Sequence, residues 1–309
     1  MCHSDLHAVE ALAPGAEPLV PGHEFVGEVA AVGADVTRFR VGDPVAVGNV
    51  VDSCGVCAAC LDHRETYCEE LPTTTYGGVD RHDGSTTRGA YSTEYVVREA
   101  FVYHLPAGPG PRRRGTPHVR GRHDVRPAAA GGRRRGDRVG VVGLGGLGHL
   151  AVRFAAALGA HVTVFTTSAD KVRAARDLGA DAVVVSTDEA AMRAAGPLDL
   201  VVDTASAQHD RSPYLRTLRL GGELVVLSTA GRYDLEPMAL LGRTMTLSAG
   251  AGTVRTQEML DFCAAHGIVA DVEVLPLAEV GTAFARLAKN DVRYRFVLDV
   301  AGRAAAWRS

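Results

Sequence analysis

A chain of 309 residues that is 46% hydrophobic and 22% charged is long enough for two globular domains with cores of their own. Its net charge of −3 argues against general nucleic-acid binding, and no apolar run approaches the ~20 residues that cross a membrane as a helix. The N-terminus, M-C-H-S-D-L-H, has no basic-then-apolar signal pattern, so the expected location is cytoplasmic.

Residues 1–107 carry short β-like runs, F-V-G-E-V-A-A-V, D-P-V-A-V-G and Y-S-T-E-Y-V-V, punctuated by glycine and proline. This pattern predicts a compact, barrel-like β domain. Cys2 opens C-H-S-D-L-H, and Gly22-His23-Glu24 follows. Deprotonated Cys, His and Glu all ligate zinc, and a catalytic zinc keeps one position open. The bland alternative is a frayed terminal cysteine and a surface histidine. Cys54, Cys57, Cys60 and Cys68 form C-x2-C-x2-C-x7-C, four of the six cysteines inside fifteen residues. In a reducing compartment this spacing predicts metal rather than disulfides: four thiolates wrap one tetrahedral zinc and close it to substrate. Four unrelated buried thiols are the weaker reading, because structural cysteines rarely cluster in a polar loop.

Residues 108–135 read G-P-G-P-R-R-R-G-T-P-H-V-R-G-R-H-D-V-R-P-A-A-A-G-G-R-R-R, with nine arginines between Arg112 and Arg135 and almost no apolar residue to bury. Composition alone leaves a basic nucleic-acid arm or a disordered linker.

The second domain is expected over residues 136–266. Val139–His149 reads V-G-V-V-G-L-G-G-L-G-H: a buried strand, the glycines Gly143, Gly145 and Gly148 in G-x-G-x-x-G, then a helical pattern. The first glycine serves a tight turn, the second lets backbone approach a pyrophosphate, and the third lets helix and strand pack closely. With Leu144, Gly146 and Leu147 between them, these residues form the expected dinucleotide-binding turn. The helix N-terminus adds free N–H groups and partial positive charge. Such turns also arise for packing alone, but here strand, turn and helix are all in place.

Further strand-like runs are expected to end near Phe165, Val185, Asp203, Leu227 and Ser248, after the first at Val142. Helical segments separate them, which makes an α/β fold with a doubly wound parallel sheet. The second strand ends in Thr166-Thr167-Ser168, followed by Lys171 and Arg173. No acid stands at the strand end to bind a ribose 2′-OH; Asp170 comes later. Hydroxyls with a cation suit a 2′-phosphate, so the expected cofactor is NADP(H). The alternative is that Lys171 and Arg173 are ordinary solvated helix residues. Asp203-Thr204-Ala205-Ser206 and Ser248–Gly252 lie at later strand ends and are expected to line ribose and nicotinamide, Ser248 among them, unless they merely turn the chain. Cys263 reads as a small core residue.

Together, G-H-E, V-D-S-C-G-V-C-A-A-C, the glycine-rich turn and D-V-R-Y-R-F-V-L-D resemble the zinc-dependent medium-chain alcohol dehydrogenases, in the cinnamyl-alcohol-dehydrogenase-like branch. The resemblance covers Cys2 to Leu105 and Gly136 to Val300. It implies a GroES-like catalytic domain, a Rossmann domain, a return of residues 267–309 to the first domain, and two zincs per subunit. Cys2, His23 and Glu24 match catalytic-zinc positions, the four clustered cysteines match the structural zinc, and Ser4 and His7 match the proton relay. The implied reaction interconverts a small-molecule alcohol and aldehyde by hydride transfer, in a homodimer built through the last Rossmann strands.

The chain departs from the family pattern twice. It begins at Cys2, where the family carries earlier strands of the catalytic domain. The family's usual valine before this cysteine is encodable by GTG, so Met1 is expected to be a misassigned internal start. Residues 108–135 replace the family segment that carries the remaining catalytic cysteine in C-A-G, whose position falls on Val119. Chosen codons for Val119–Arg126, shifted by one base, read C-A-G-V-T-T-Y, so a frameshifted stretch is expected. His118 and His123 are the nearby residues of ligand type. The competing readings are a catalytically impaired relative that binds NADPH and zinc without turnover, and a zinc-independent reductase.

Overall fold

The computed structural model describes residues 1–106, 136–228 and 232–300. The arginine-rich stretch 108–135, with His118, Val119 and His123, lies outside the described residues. The described residues form two units: 1–106 with 251–300, and 136–250. Among them, no helix is long and apolar enough to cross a membrane.

In the first unit, helix α1 (His3–Glu10) begins at Cys2, and the Asp5 carboxylate accepts the Cys2 N–H at 2.9 Å. An acid in the first turn that satisfies a free N–H is a standard reason for a helix to start there. Strands β1 (Phe25–Glu28) and β2 (Pro44–Val47) pair antiparallel. Then come β3 (Val50–Asp52), the short helix α2 (Ala58–Leu61) inside the cysteine loop, and β4 (Thr73–Thr74), which pairs with β3. Strand β5 (Val102–His104) completes a three-stranded sheet in the order β1-β2-β5. Phe39, Val45, Val47, Val51 and Val102 form its core. Burying each of these side chains contributes about 1.5–3 kcal/mol.

The expected β run at 91–97 forms no ladder. Tyr91 N–H donates to the Pro21 carbonyl at 3.0 Å, the Tyr95 hydroxyl donates to the Thr75 carbonyl at 2.8 Å, and Tyr95 and Val97 pack on the core. One backbone bond and one tyrosine side-chain anchor hold the segment in place of strand pairing.

The second unit is a six-stranded parallel sheet. Its elements are β6 (Arg138–Val142), α3 (Gly148–Ala157), β7 (His161–Thr166), α4 (Val172–Asp177), β8 (Ala182–Val185), α5 (Glu189–Ala194), β9 (Leu198–Asp203), α6 (Ser212–Thr217), β10 (Leu218–Val226) and β11 (Thr244–Leu247). The strand order is β11-β10-β9-β6-β7-β8, so the order reverses between β6 and β9. Three of the six expected strand ends, Val142, Val185 and Asp203, coincide with those observed, and the other three fall one residue away. The reason is burial on both faces: parallel strands covered by helices read as continuous Val/Leu runs. Val142, Phe165, Leu198, Val201, Leu215, Leu224 and Val226 share one core cluster.

The chain then rejoins the first unit with α7 (Thr253–Ala265), β12 (Val272–Pro276), α8 (Val280–Ala288) and β13 (Arg295–Asp299), β12 and β13 pairing in parallel. Leu6 of α1 packs with Ala283, Leu287 and Phe296. By its contacts α7, which precedes the expected boundary at 266, groups with the first unit. Its Gln257 exchanges hydrogen bonds with the His104 backbone at 2.9 and 3.0 Å. Its first N–H, from Thr253, is taken by Glu65 at 2.9 Å. Neither tie, across 153 and 188 residues, is visible in a local pattern.

Candidate active site

The four cysteines of the loop converge. The Sγ atoms of Cys54, Cys57, Cys60 and Cys68 all lie within 4.8 Å of one another, and Cys54 and Cys60 are 3.9 Å apart. Sulfurs ~2.3 Å from a common tetrahedral zinc stand about 3.8 Å apart, so the donor set fits that ion. Backbone N–H groups of Cys54 and Cys57 donate to Cys68 Sγ and Cys54 Sγ, each at 3.4 Å. Hydrogen bonds from the Glu69 and Cys60 backbone draw the Cys57 thiol down, while burial pushes Cys60 up. Among the described residues no other group of three or more ligand types comes this close.

Cys2, His23 and Glu24 lie around one small cavity with Asp5, Gly22 and Tyr91. Asp5, which the sequence reading passed over, organises it. Its carboxylate takes the Cys2 N–H at 2.9 Å, the Gly22 N–H at 3.1 Å, His23 Nδ1 at 2.8 Å and the Tyr91 hydroxyl at 3.1 Å. With Nδ1 held by a carboxylate, Nε2 is the His23 nitrogen left for a metal, the orienting arrangement common behind ligating histidines. Burial pushes the Cys2 thiol up, but the hydrogen bond and charge of His23 outweigh it and bring it well below the thiol range. Burial draws His23 down; Asp5 and Cys2 more than reverse this and raise it. The two shifts favour a thiolate facing an imidazolium, a pair from which metal binding would displace a proton.

Glu24 stands differently. Its Oε2 accepts from Arg295 Nη1 at 2.9 Å, in an ion pair almost closed to solvent. The three expected catalytic ligands therefore do not gather as one tight set, and the expected thiolate at Val119 lies outside the described residues. What the described residues offer is two donors, Cys2 and His23, with a guanidinium holding the third. Ser4 Oγ lies 3.6 Å from Cys2 Sγ. His7 follows three residues on along α1 and is exposed.

In the second unit the glycine-rich turn has the geometry its spacing predicts. Gly143 has φ +85°, a conformation that glycine reaches without steric cost. A Cβ on Gly148 would stand 2.1 Å from the Gly143 carbonyl oxygen, so helix and turn touch backbone to backbone. A Cβ on Gly145 would meet nothing within 4 Å. Leu144 is buried, and Leu147 precedes the first residue of α3. Thr204, from the end of β9, clamps the turn: its N–H and Oγ1–H both reach the Val142 carbonyl, at 3.0 and 2.8 Å.

At the end of β7, Thr166 is buried and Thr167 exposed. The Ser168 N–H donates to Thr166 Oγ1 at 3.2 Å, and the Ser168 hydroxyl donates to the Asp170 carboxylate. Lys171 is exposed at the end of a short 3-10 turn. Arg173 faces Asp177 at 4.0 Å, one helical turn on, and is solvated. Ser248 is buried beyond β11, its N–H on the Val226 carbonyl at 2.9 Å. Cys263 is buried against Met259, as expected of a core residue.

Residues 1–107 match the alcohol dehydrogenase GroES-like domain, and residues 146–265 match the zinc-binding dehydrogenase family. A probable cinnamyl alcohol dehydrogenase of Arabidopsis thaliana is 44% identical over 317 residues, covering 100% of this chain and 86% of that protein. The structure of a cinnamyl alcohol dehydrogenase from Sorghum bicolor superposes with a TM-score of 0.92 at 42% identity, over 98% of this chain and 88% of that one. A Helicobacter pylori relative solved in complex with NADP(H) gives a TM-score of 0.88 at 30% identity, over 97% and 87%. The fold is thus a GroES-like domain with a Rossmann sheet, and the chain belongs to the zinc-binding medium-chain alcohol dehydrogenases, in their cinnamyl-alcohol-dehydrogenase-like branch.

Proposed function

We propose that this chain is a zinc- and NADP(H)-dependent oxidoreductase that interconverts primary alcohols and aldehydes by hydride transfer. The observation that carries the reading is the Cys2–His23 pair, oriented by a buried Asp5. NADPH, when bound, supplies the hydride, and a zinc held at Cys2 and His23 supplies the Lewis acid that polarises the carbonyl. Ser4, beside Cys2, is the hydroxyl that delivers a proton to the developing alkoxide. His7, three residues on and exposed, passes that proton to and from solvent. The four-cysteine loop holds a second, purely structural zinc. A homodimer and a cytoplasmic location belong to the same reading.

For the cofactor, the hydroxyls of Thr166, Thr167 and Ser168 and the Lys171 ammonium suit a 2′-phosphate, and a relative of the same fold was solved with NADP(H). Lys171→Ala is expected to raise the KM for NADPH about tenfold, the loss of one charge-assisted contact, while changing that for NADH less than about twofold. Steady-state kinetics with both cofactors check this; equal effects on the two would remove Lys171 from the 2′-phosphate site.

One observation favours a second reading. Among the described residues the catalytic donors are two, with Glu24 held by Arg295, which suits a relative that binds NADPH and zinc without turnover. Aldehyde-dependent NADPH oxidation, followed at 340 nm with and without a chelator, separates the cases. Turnover lost on chelation is the expected result. No turnover in either arm supports the binding-only relative, and turnover indifferent to chelator supports a zinc-independent reductase.

A further inference from the structure

Asp203, the last residue of β9, pairs in register with Val142, the last residue of β6. These strands flank the place where the sheet order reverses, and open α/β sheets bind their ligands in the crevice there. The Asp203 side chain is fully buried and carries an unusual load. Its Oδ1 accepts the Ala205 N–H at 3.1 Å. Its Oδ2 faces two cationic groups, Arg211 Nε at 3.0 Å and His209 Nε2 at 3.3 Å. Arg211 is itself 2% exposed, donates to the His209 carbonyl at 3.2 Å, and lies over the Tyr233 ring at 4.8 Å. Thr204, next in sequence to Asp203, is the residue that clamps Val142 and Gly143 of the glycine-rich turn. A chain of direct contacts therefore runs from two cations, through one carboxylate and one threonine, to the turn.

The ring of His209 states its own charge. Nδ1 lies 2.9 Å from the Ala207 carbonyl oxygen, and Nε2 faces the Asp203 carboxylate. Nδ1 has a hydrogen-bond acceptor and Nε2 stands at ion-pair distance from a buried carboxylate without a hydrogen bond to it, a setting that favours the imidazolium. The groups that surround it are Asp203 from β9, Arg211 before α6, the ring edge of Tyr214 in α6 at 5.7 Å, neighbouring Asp210, and Asp234, which Gln208 binds at 2.8 Å. The facing Asp203 carboxylate raises the His209 pKa above its usual 6.5, against the opposing effect of partial burial.

We propose that Asp203, Arg211 and His209 form a positioning cluster for the dinucleotide. Two cations sharing one buried carboxylate hold the 203–205 segment, and Thr204 passes that hold to the glycine-rich turn. Loss of the His209 proton releases part of it. The cluster is fully set below about pH 6.5 and slackens as pH rises through the raised His209 value. The inference rests on the dinucleotide reading of this turn. None of the three residues touches the 2′-phosphate in this account, so NADPH and NADH respond alike.

The test is fluorescence titration of the wild-type chain, His209→Gln and Arg211→Lys with NADPH and with NADH, from pH 6.5 to 9. The wild-type dissociation constants for both are expected to rise about fivefold across the range. His209→Gln is expected to be flat, and to sit at pH 6.5 near the wild-type value for pH 9. Arg211→Lys, which keeps charge and loses the fork, is expected to weaken both dinucleotides while retaining the pH slope. His209→Gln with wild-type affinity and slope overturns the proposal, as does a slope confined to NADPH, which would be the 2′-phosphate titrating. If the wild type binds both dinucleotides without pH dependence, only the cluster's role falls. If it binds neither, the cofactor reading itself falls and takes the proposal with it. The partly exposed His209 makes its variant the one expected to fold in every case.

Discussion

A chain with Cys60 replaced by serine is expected to lose the metal of the four-cysteine loop and to melt about 10 °C or more below the wild type. The size follows from what the loop is made of. It has little apolar core: Val56, Leu61, Tyr67 and Leu71 point into solvent, and only Ala59, Cys60 and Cys68 among its hydrophobic residues are buried. In the proposed reading its order depends on four thiolates held by one zinc, and such sites supply folding free energy directly, on the order of 10 kcal/mol for small zinc modules. Losing it does not stay local. Glu65 lies between Cys60 and Cys68, and its carboxylate takes both the N–H and the hydroxyl of Thr253, at 2.9 and 2.8 Å, where α7 begins. Gly252 fits so closely there that a Cβ would stand 1.8 Å from the His63 carbonyl oxygen. Amide hydrogen exchange is therefore expected to accelerate at the start of α7 as well as in residues 54–71. Metal analysis, thermal melting by circular dichroism and exchange mass spectrometry read the three effects. A Cys60→Ser chain with its metal content and melting temperature intact would show that the loop is held by something else.

The contrast between what the sequence displays and what it conceals follows from the range of each interaction. The glycine-rich turn is legible because all of its parts are local: Gly143, with a positive φ, and Gly148, with no room for a Cβ, are five residues apart. The four cysteines are legible for the same reason, and the Rossmann strands because burial on both faces writes itself into runs of Val and Leu. Asp5 is half legible. An acid in the first turn of a helix reads as a cap, which it is, but its bonds to Gly22, His23 and Tyr91 reach 17 to 86 residues away. Arg295, paired with Glu24 across 271 residues, has no local signature at all. Glu65 looks like one more charge in a polar loop until α7 is seen to start on it. The β run at 91–97 misled in the opposite sense: its β-branched and aromatic residues are real, but the segment is held by one backbone bond from Tyr91 and the Tyr95 hydroxyl and forms no ladder.

Gly148→Ala is expected to weaken NADPH binding about 100-fold and to lower the melting temperature, whereas Gly145→Ala should weaken binding while leaving the melting temperature unchanged. The difference is in what the added methyl meets. At 148 it would stand 2.1 Å from the Gly143 carbonyl oxygen and 2.9 Å from Thr204 Oγ1. The first of these is backbone, in a residue whose N–H is already committed to the Phe165 carbonyl at 2.9 Å. The turn must therefore open, at a cost at the upper end of the roughly 1–3 kcal/mol typical of overpacking, and about 2.7 kcal/mol is already a factor of 100 in affinity. At 145 the methyl meets no protein atom within 4 Å, so the apo chain has no reason to be destabilised. In the proposed reading that open space admits the pyrophosphate, as the second glycine of this motif does, so the same methyl would obstruct the ligand alone. Isothermal titration with NADPH and thermal melting of the apo proteins separate the two effects. If Gly145→Ala binds NADPH like the wild type, the pyrophosphate does not lie against this turn, and the cofactor would have to approach the sheet elsewhere.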